Sequence, residues 1–289
     1  MTESSVFAHP PESPARLAWR RFRRHRLAMA GTAIVLLLGV AAAAGPWAWK
    51  YDYKSQDFER QLKPPSLEHP FGTDRLGRDL FVRVLHGLRI SLAVGLAASL
   101  ISLLVGAPYG AIAGYAGGRL DNAMMRLVDA LYAIPLILFV ILLMMIFERG
   151  LHNVFIALGL VYWLGMARMV RGEVLRIKQL DYVRAARGLG ASPARLIFRH
   201  ILPNAAGPIS VTLTFNIPEA IFTESFLSFI GLGVSAPRAS LGALASDGIE
   251  LLRAAPWVPL FPALGISLLM LGFNFIGDGL RDALDPNAR

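Results

Sequence analysis

Apolar residues in this chain run on in long uninterrupted blocks. Residues 27–49, 90–118 and 254–277 contain no charged side chain. Each block exceeds the roughly 18 residues at which an apolar run reads as a bilayer-spanning helix rather than a core helix. These blocks predict spans at 27–49, within 90–115 and at 257–277, and more mixed runs predict others near 124–147, 154–167 and 209–229. One stretch between the fourth and fifth runs breaks the pattern. Residues 181–204, DYVRAARGLGASPARLIFRHILPN, carry Arg184, Arg187, Arg195 and Arg199, with Gly190 in the middle. Each arginine would cost about 2.5–3.5 kcal/mol at mid-membrane, so this segment lies outside lipid and its partner lies there too.

The pattern predicts an all-α integral membrane protein of six transmembrane helices, with the lipid bilayer as its main solvent. Three blocks follow: a basic cytoplasmic segment 1–26, a first span with an extracytoplasmic loop at 27–89, and a five-helix core at 90–289 whose cytoplasmic loop falls within 173–205. Positive charge sets the orientation. Of the 29 Lys and Arg, 18 fall on one side if the N-terminus is cytoplasmic, and 11 on the other. Six acids in the 50–89 loop nearly offset its basic residues, so both termini are placed in the cytoplasm.

Composition agrees: 55% of residues are apolar, 17% are charged and mean hydropathy is +0.50. The net charge of +9, with 25 of 29 basic residues being arginine, would suggest nucleic acid in a soluble protein. Here the arginines flank apolar runs, and no nucleic acid partner is expected. Residues 1–15 read as a polar, proline-bearing tail. The basic stretch 16–26, RLAWRRFRRHR, is placed on the anionic cytoplasmic leaflet. Run 27–49 is too long for a signal-peptide core, although Ala42–Ala44 offers small residues for cleavage. The absence of cysteine excludes disulfides, thiol catalysis and Cys-ligated metals.

Several local patterns carry expectations. Ala98, Ser102, Gly106, Gly110 and Gly114 recur every fourth position, a smooth ridge on which another helix can pack closely, with Pro108 interrupting it. Asp79 and Arg83, four apart, pair if helical, and Thr73 or Asp74 is the expected helix cap. Asp129 pairs with Arg126 near an interface, and Asp278 closes the last span. Asn216, Glu219 and Glu224 fall in the fifth span. A carboxylate there points to function by default; these residues either line a translocation pathway, or pair within the bundle or lie near the outer interface and only shape the helix.

Catalytic patterns are missing. No Gly-Lys pair exists, so there is no phosphate loop, and neither H-E-x-x-H nor G-x-S-x-G occurs. A G-x-G-x-x-A pattern at 231–236 lacks a preceding strand and reads as chance. The 181–204 stretch has a physical reading of its own. Residues 181–189 and 193–201 each suit a short helix, Pro193 sits in a first turn, and Gly190 supplies the positive φ between them.

The same stretch resembles the EAA loop of ABC importer permeases, with Ala185, Ala186, Gly190, Leu202 and Pro203 at that family's spacing. Arg184 stands where the pattern has Glu, and His200 where an apolar residue is usual. The wording YVRAARGLG and RHILPN is similar to the oligopeptide/dipeptide branch. So are FGTDRLGRD (71–79), TESFLSFIGLGV (223–234), APWVPLFPAL (255–264) and GDGLRDALDP (277–286).

The resemblance implies the type I importer permease fold, a bacterial inner-membrane location, and a chain that is not itself an enzyme. It implies a second homologous permease subunit, two cytoplasmic ATPase subunits that carry ATP and Mg and dock on the 181–204 loop, and an extracytoplasmic substrate-binding protein. This chain would bind no cofactor or metal of its own. Arg184, Ala185, Ala186, Gly190, Leu202 and Pro203 are the expected coupling residues, and a nickel or other small-solute permease is the alternative. A secondary transporter would show inverted repeats with broken helices at matching positions, and the sequence shows no such pair.

Overall fold

The computed structural model describes residues 14–146, 151–233 and 239–285. Residues 1–13 of the polar tail, Arg149, Arg238, the 234–236 end of the glycine pattern and Pro286 lie outside them. Among the described residues the regular elements are helices, with one isolated bridge between Thr73 and Asp79.

α1 (Pro14–Arg24) is the basic stretch, and His25 separates it from α2 (Arg26–Ala48). The His25 ring accepts from Ala28 N at 3.1 Å, capping α2. α1 is held by the bundle as well as by any surface: Phe22 is buried with Ala28 and Ala283, and Arg21 donates to the Asp285 carbonyl at 3.0 Å. Leu17 and Trp19 remain on its open face.

Residues 50–79 fold into a compact knot. Asp74 is its centre: Oδ1 accepts from Leu76 N and Arg78 N, while Oδ2 accepts from Arg78 Nε at 2.6 Å. Thr73 donates to the Arg60 carbonyl and accepts from Lys63 N. Gly77 has φ +68, and a Cβ there would overlap the Asp57 carbonyl, so only glycine fits. Phe71 stacks on Phe261 with centroids 3.9 Å apart, anchoring the knot to the last helix. At its rim the Tyr51 hydroxyl, followed by Arg60, holds the Glu68 carboxyl down at about 2.

α3 (Leu80–Ile101) begins ten residues before the charge-free run, so residues 80–89 belong to the core rather than to the polar connection. Its cap is Asp79, not Thr73 or Asp74: Oδ1 accepts from Val82 N at 2.9 Å. Asp79 is therefore unavailable to Arg83. Its other oxygen meets His69 Nδ1 at 2.7 Å, and Arg83 reaches Asp74 at 3.5 Å instead. The sequence spacing was compatible with an Asp79–Arg83 pair, but a capping carboxylate faces the helix end and not its side.

A π-turn, Ser102–Gly106, joins α3 to α4 (Ala107–Ala116) as one continuous 37-residue span. Pro108 lacks the N–H that an α-helix would send to residue 104, and the wider turn lies just where that bond is missing. α5 (Gly118–Tyr132) and α6 (Leu136–Ile146) replace the straight span expected at 124–147. They are bent by 86° at Pro135, whose ring bars the preceding residue from helix. α7 (Leu151–Ile177) runs ten residues beyond the expected 154–167.

The predicted ridge packs on α7 in matched steps. A Cβ on Gly106 would meet Trp163 O at 2.5 Å, one on Gly110 would overlap the Ala167 carbonyl, and one on Gly114 would meet Arg171 O at 2.9 Å. Ser102, one step earlier, donates to Tyr162 O at 3.0 Å. Four small residues thus face the α7 carbonyls of Tyr162, Trp163, Ala167 and Arg171, a backbone approach that any larger side chain would prevent.

α8 (Asp181–Gly188) and α9 (Pro193–Arg195), which continues as a π-turn and a 3-10 turn to Ala205, form the polar loop. α10 (Ala206–Phe229) follows, then an unanticipated α11 (Leu241–Ile249) capped by Ser240, and finally α12 (Trp257–Leu284). α12 passes straight through Asp278, so that residue does not close the span. α2 and α12 cross backbone to backbone, with Gly31 against Gly272. By length and composition α2, α3–α4, α7 and α12 can cross a bilayer, and α5–α6 is a fifth, broken span. α10, about 36 Å long at 1.5 Å per residue, supplies the sixth length, its apolarity lowered by Asn216, Glu219 and Glu224.

Candidate functional site

The loop forms the two-armed turn read from its sequence. Gly190 takes φ +83, and Ser192 caps the second arm by accepting from Arg195 N at 3.3 Å. Val183, Leu196, Ile197 and Ile201 point inward and merge with Ala107, Ala111, Val170, Val174 and Ile177 in one cluster, so the loop is rooted in α4 and α7. Two further contacts fix it. Lys178 Nζ donates to Gly114 O at 2.6 Å, and the Arg187 guanidinium lies 5.4 Å from the Tyr115 ring centre. Arg184, Ala185 and Pro203 are exposed, whereas Ala186 and Leu202 are half-buried against the cluster. The alanine pair therefore divides: Ala185 faces outward and Ala186 supports the loop from inside. Leu189, 89% exposed, and Phe198, 65% exposed, add apolar surface to the outer face among the arginines. Exposed apolar groups rimmed by charge mark a protein-contact surface.

Inside the bundle, a cavity of about 240 Å³ opens at the α5–α6 bend. Asn216 and Glu219 line it together with Tyr132, Pro135, Tyr162 and Thr212. Asn216 is held by a 3.1 Å bond from its Nδ2 to Ser102 Oγ, and Tyr162 Oη and Thr223 Oγ1 share a hydrogen bond of 2.9 Å. Sequence reading missed Tyr132, Tyr162 and Thr212. Tyrosines within an apolar run read as packing; the break at Pro135 leaves Tyr132 exposed, while Tyr162 is buried and only edges the cavity.

Glu224 is placed elsewhere. It is 0% exposed and lines no part of that cavity. Ser91 donates to Oε2 at 3.2 Å and Ser228 to Oε1 at 2.7 Å; Ser240, the α11 cap, donates to Ser228 at 3.0 Å. This hydroxyl chain ties α3, α10 and α11 together around one carboxyl. Removing the acceptor leaves the O–H donors of Ser91 and Ser228 without their partner, each worth about 1–3 kcal/mol. Glu224→Ala is expected to lower the melting temperature of the detergent-solubilised protein by several degrees. Glu224→Gln, which keeps an acceptor oxygen, is expected to lower it less. Equal melting for all three proteins would show that the chain of hydroxyls is not a structural tie.

Between α5 and α7, Asp129 pairs with Arg168 at 2.8 Å rather than with Arg126. Three residues apart on one helix, Asp129 and Arg126 are neighbours, but α7 brings a better-placed guanidinium. Arg171 grips Asp121 with two bonds of 2.6 and 2.8 Å. Among the described residues no group of three or more His, Asp or Glu side chains is placed to hold a metal.

Long apolar helices around a polar cavity, with a rooted helical loop at one end, make a membrane transport permease. The chain belongs to the family of binding-protein-dependent transport system inner membrane components, whose profile matches residues 106–289. Residues 13–65 match the N-terminal transmembrane domain of oligopeptide transport permease C. The oligopeptide transport system permease protein OppC of Bacillus subtilis (strain 168) is 51% identical over 94% of this chain and 89% of its own. The dipeptide transport system permease protein DppC of the same organism is 49% identical over 99% and 90%. OppC of Escherichia coli (strain K12) is 43% identical over 98% and 96%. The fold is also similar to an inward-facing structure of the MetNI methionine ABC transporter. That match has a TM-score of 0.59 at 20% identity, over 70% of this chain and 96% of the other.

Proposed function

We propose that this chain is one of two homologous permease subunits of an ATP-driven importer that moves di- or oligopeptides into the cytoplasm of a bacterium. The peptide names of its relatives favour that cargo over nickel or another small solute. In this reading the chain sits in the inner membrane with both termini cytoplasmic. An external binding protein delivers substrate, and two ATPase subunits hold ATP and Mg and dock on the outward face of 181–204. Arg184, Ala185, Gly190 and Pro203 shape the docking face, and Ala186 and Leu202 hold it in place. Asn216 and Glu219 line the pathway. Closure of the ATPase pair pulls the loops together and switches the bundle between inward- and outward-open states, and hydrolysis resets it.

The observation that carries this reading is the continuity between loop and bundle. The apolar cluster under the loop includes Ala107 and Ala111 of α4 and Met166 and Val170 of α7, beside the glycine ridge and the cavity wall. A packed interior shifts between discrete arrangements rather than deforming gradually, so force on the loop moves α7 as a unit. The chain has no cysteine, which permits a clean test. Ala185→Cys is expected to form a disulfide with a single cysteine in the ATPase docking groove, at a rate that changes when nucleotide binds. An intact complex with no crosslink from residue 185, or from Leu189→Cys beside it, would refute the docking assignment.

A further inference from the structure

Glu219 is an exposed carboxylate near the middle of α10, and among the described residues it has no hydrogen bond or ion pair. A charge in that position is costly against lipid, so it faces water or a ligand. Its cavity does not end blindly. Tyr132, which lines it, carries the Arg168 guanidinium 4.4 Å from its ring centre. Gly165, also in the lining, precedes Arg168 by three residues, about 4.5 Å along the helix. Arg168 in turn borders a second cavity of about 440 Å³ at the loop end, together with Arg126 and Asp129. Arg126 is exposed and without a partner among the described residues. The two spaces thus adjoin along the α5–α7 groove, with a lone carboxylate at one end and, at the other, Arg126 and Arg168 beside Asp129, with Arg171 occupied by Asp121.

That arrangement is complementary to a zwitterion. Ammonium groups seek a carboxylate, and guanidinium forks bind carboxylates with two parallel bonds. Between them the Tyr132 and Phe139 rings offer apolar surface for side chains. An extended chain spans at most about 3.3–3.6 Å per residue, so a groove one cavity and one helical turn long suits a peptide of a few residues. Resting on the peptide-import reading above, we propose that this chain itself reads both ends of a short peptide. Glu219 takes the α-ammonium, and Arg168 with Arg126 takes the terminal carboxylate. Asp129 holds Arg168 in the empty groove and gives way to the peptide's own carboxylate.

The test is ATP-driven uptake of labelled dialanine into vesicles containing the whole complex with its binding protein. Glu219→Gln and Arg168→Gln are each expected to slow uptake at least tenfold. Arg168→Lys, which keeps the charge, is expected to recover most of it. Asp129→Asn, which removes the competitor, is expected to lower the half-saturating peptide concentration. Where the unsubstituted complex also moves the C-terminal amide of dialanine, Arg168→Gln should leave that uptake unaltered.

Glutamine variants within twofold of the unsubstituted complex would overturn the proposal. So would a loss in Asp129→Asn equal to that in Arg168→Gln, because the ion pair would then be structural, and so would an Arg168→Lys variant no better than the glutamine. A complex that moves no peptide at all would instead remove the peptide reading on which this rests.

Discussion

Replacing Ala185 by arginine is expected to abolish the stimulation of ATP hydrolysis by substrate-loaded binding protein, while the chain still inserts and assembles. Ala185 is exposed and has Val183 and Ala186 beside it doing the inward packing. An arginine there adds bulk to the docking face without touching the loop's own core. Gly190→Val should reach the same result by a different route. Gly190 has φ +83 and open space around its Cα, so a side chain meets no neighbour and the whole penalty lies in the backbone. A β-branched residue in that region is strained by about 1–3 kcal/mol. That is too little to unfold the protein, but enough to rotate the second arm away from its position beside the first. The comparison to make is ATPase rate with and without loaded binding protein, on complexes of matched subunit content. Stimulation within twofold of normal in both variants would show that the loop is not where the motor engages. Ala186→Glu is a poorer probe than its neighbour, since a half-buried charge would disturb the loop from within.

Gly110→Ala is expected to have the largest effect on folding. One methyl group at this position overlaps the backbone carbonyl of Ala167, and neither helix has a flexible side chain that can yield. Relief requires α4 and α7 to separate along the whole ridge, which uncouples Gly106 and Gly114 from their carbonyls as well. Overpacking of this kind costs about 1–3 kcal/mol and sometimes more, and contact with backbone places it at the upper end. Gly39→Ala in α2 is the matching control. Nothing lies within 4 Å of its Cβ position, and alanine is favoured over glycine in a helix by about 0.5–1 kcal/mol. Melting of the two variants in detergent should move in opposite directions, with Gly110→Ala showing less folded protein at every temperature. A Gly110→Ala variant that melts with the unsubstituted protein would mean that the helices do not approach as closely as described.

The ridge was readable because it depends on a single periodicity: small residues every fourth position can only describe one helix face. The loop was readable for a similar reason, since proline, glycine and capping serine each fix one local conformation. Helix ends were not. Arg83 and Arg89 look like the polar end of a loop, but the folded 50–79 knot supplies Asp74 for Arg83, and α2 carbonyls accept from Arg89. Arg168 and Arg171 likewise extended α7 well past its apolar run, because Asp129 and Asp121 arrive from α5. These partners are remote in sequence, and no local pattern announces them.

Glu219 and Glu224 show the same limit inside one helix. As letters they are equivalent, two acids in an apolar run. Five residues at about 100° each set them roughly 140° apart around the axis. One therefore faces the cavity while the other is enclosed by Ser91, Ser228 and Ser240. Only the positions of α3 and α11 decide which carboxyl meets solvent and which becomes a structural tie.

The most direct measurement is peptide uptake into vesicles reconstituted with this chain, its partner permease, the ATPase subunits and the binding protein, with the energy source varied. Uptake should require ATP inside the motor compartment, persist when proton and sodium gradients are collapsed, and disappear with Ala185→Arg. Uptake that continues without ATP while an ion gradient is present would contradict it, and the chain would then be a gradient-driven transporter.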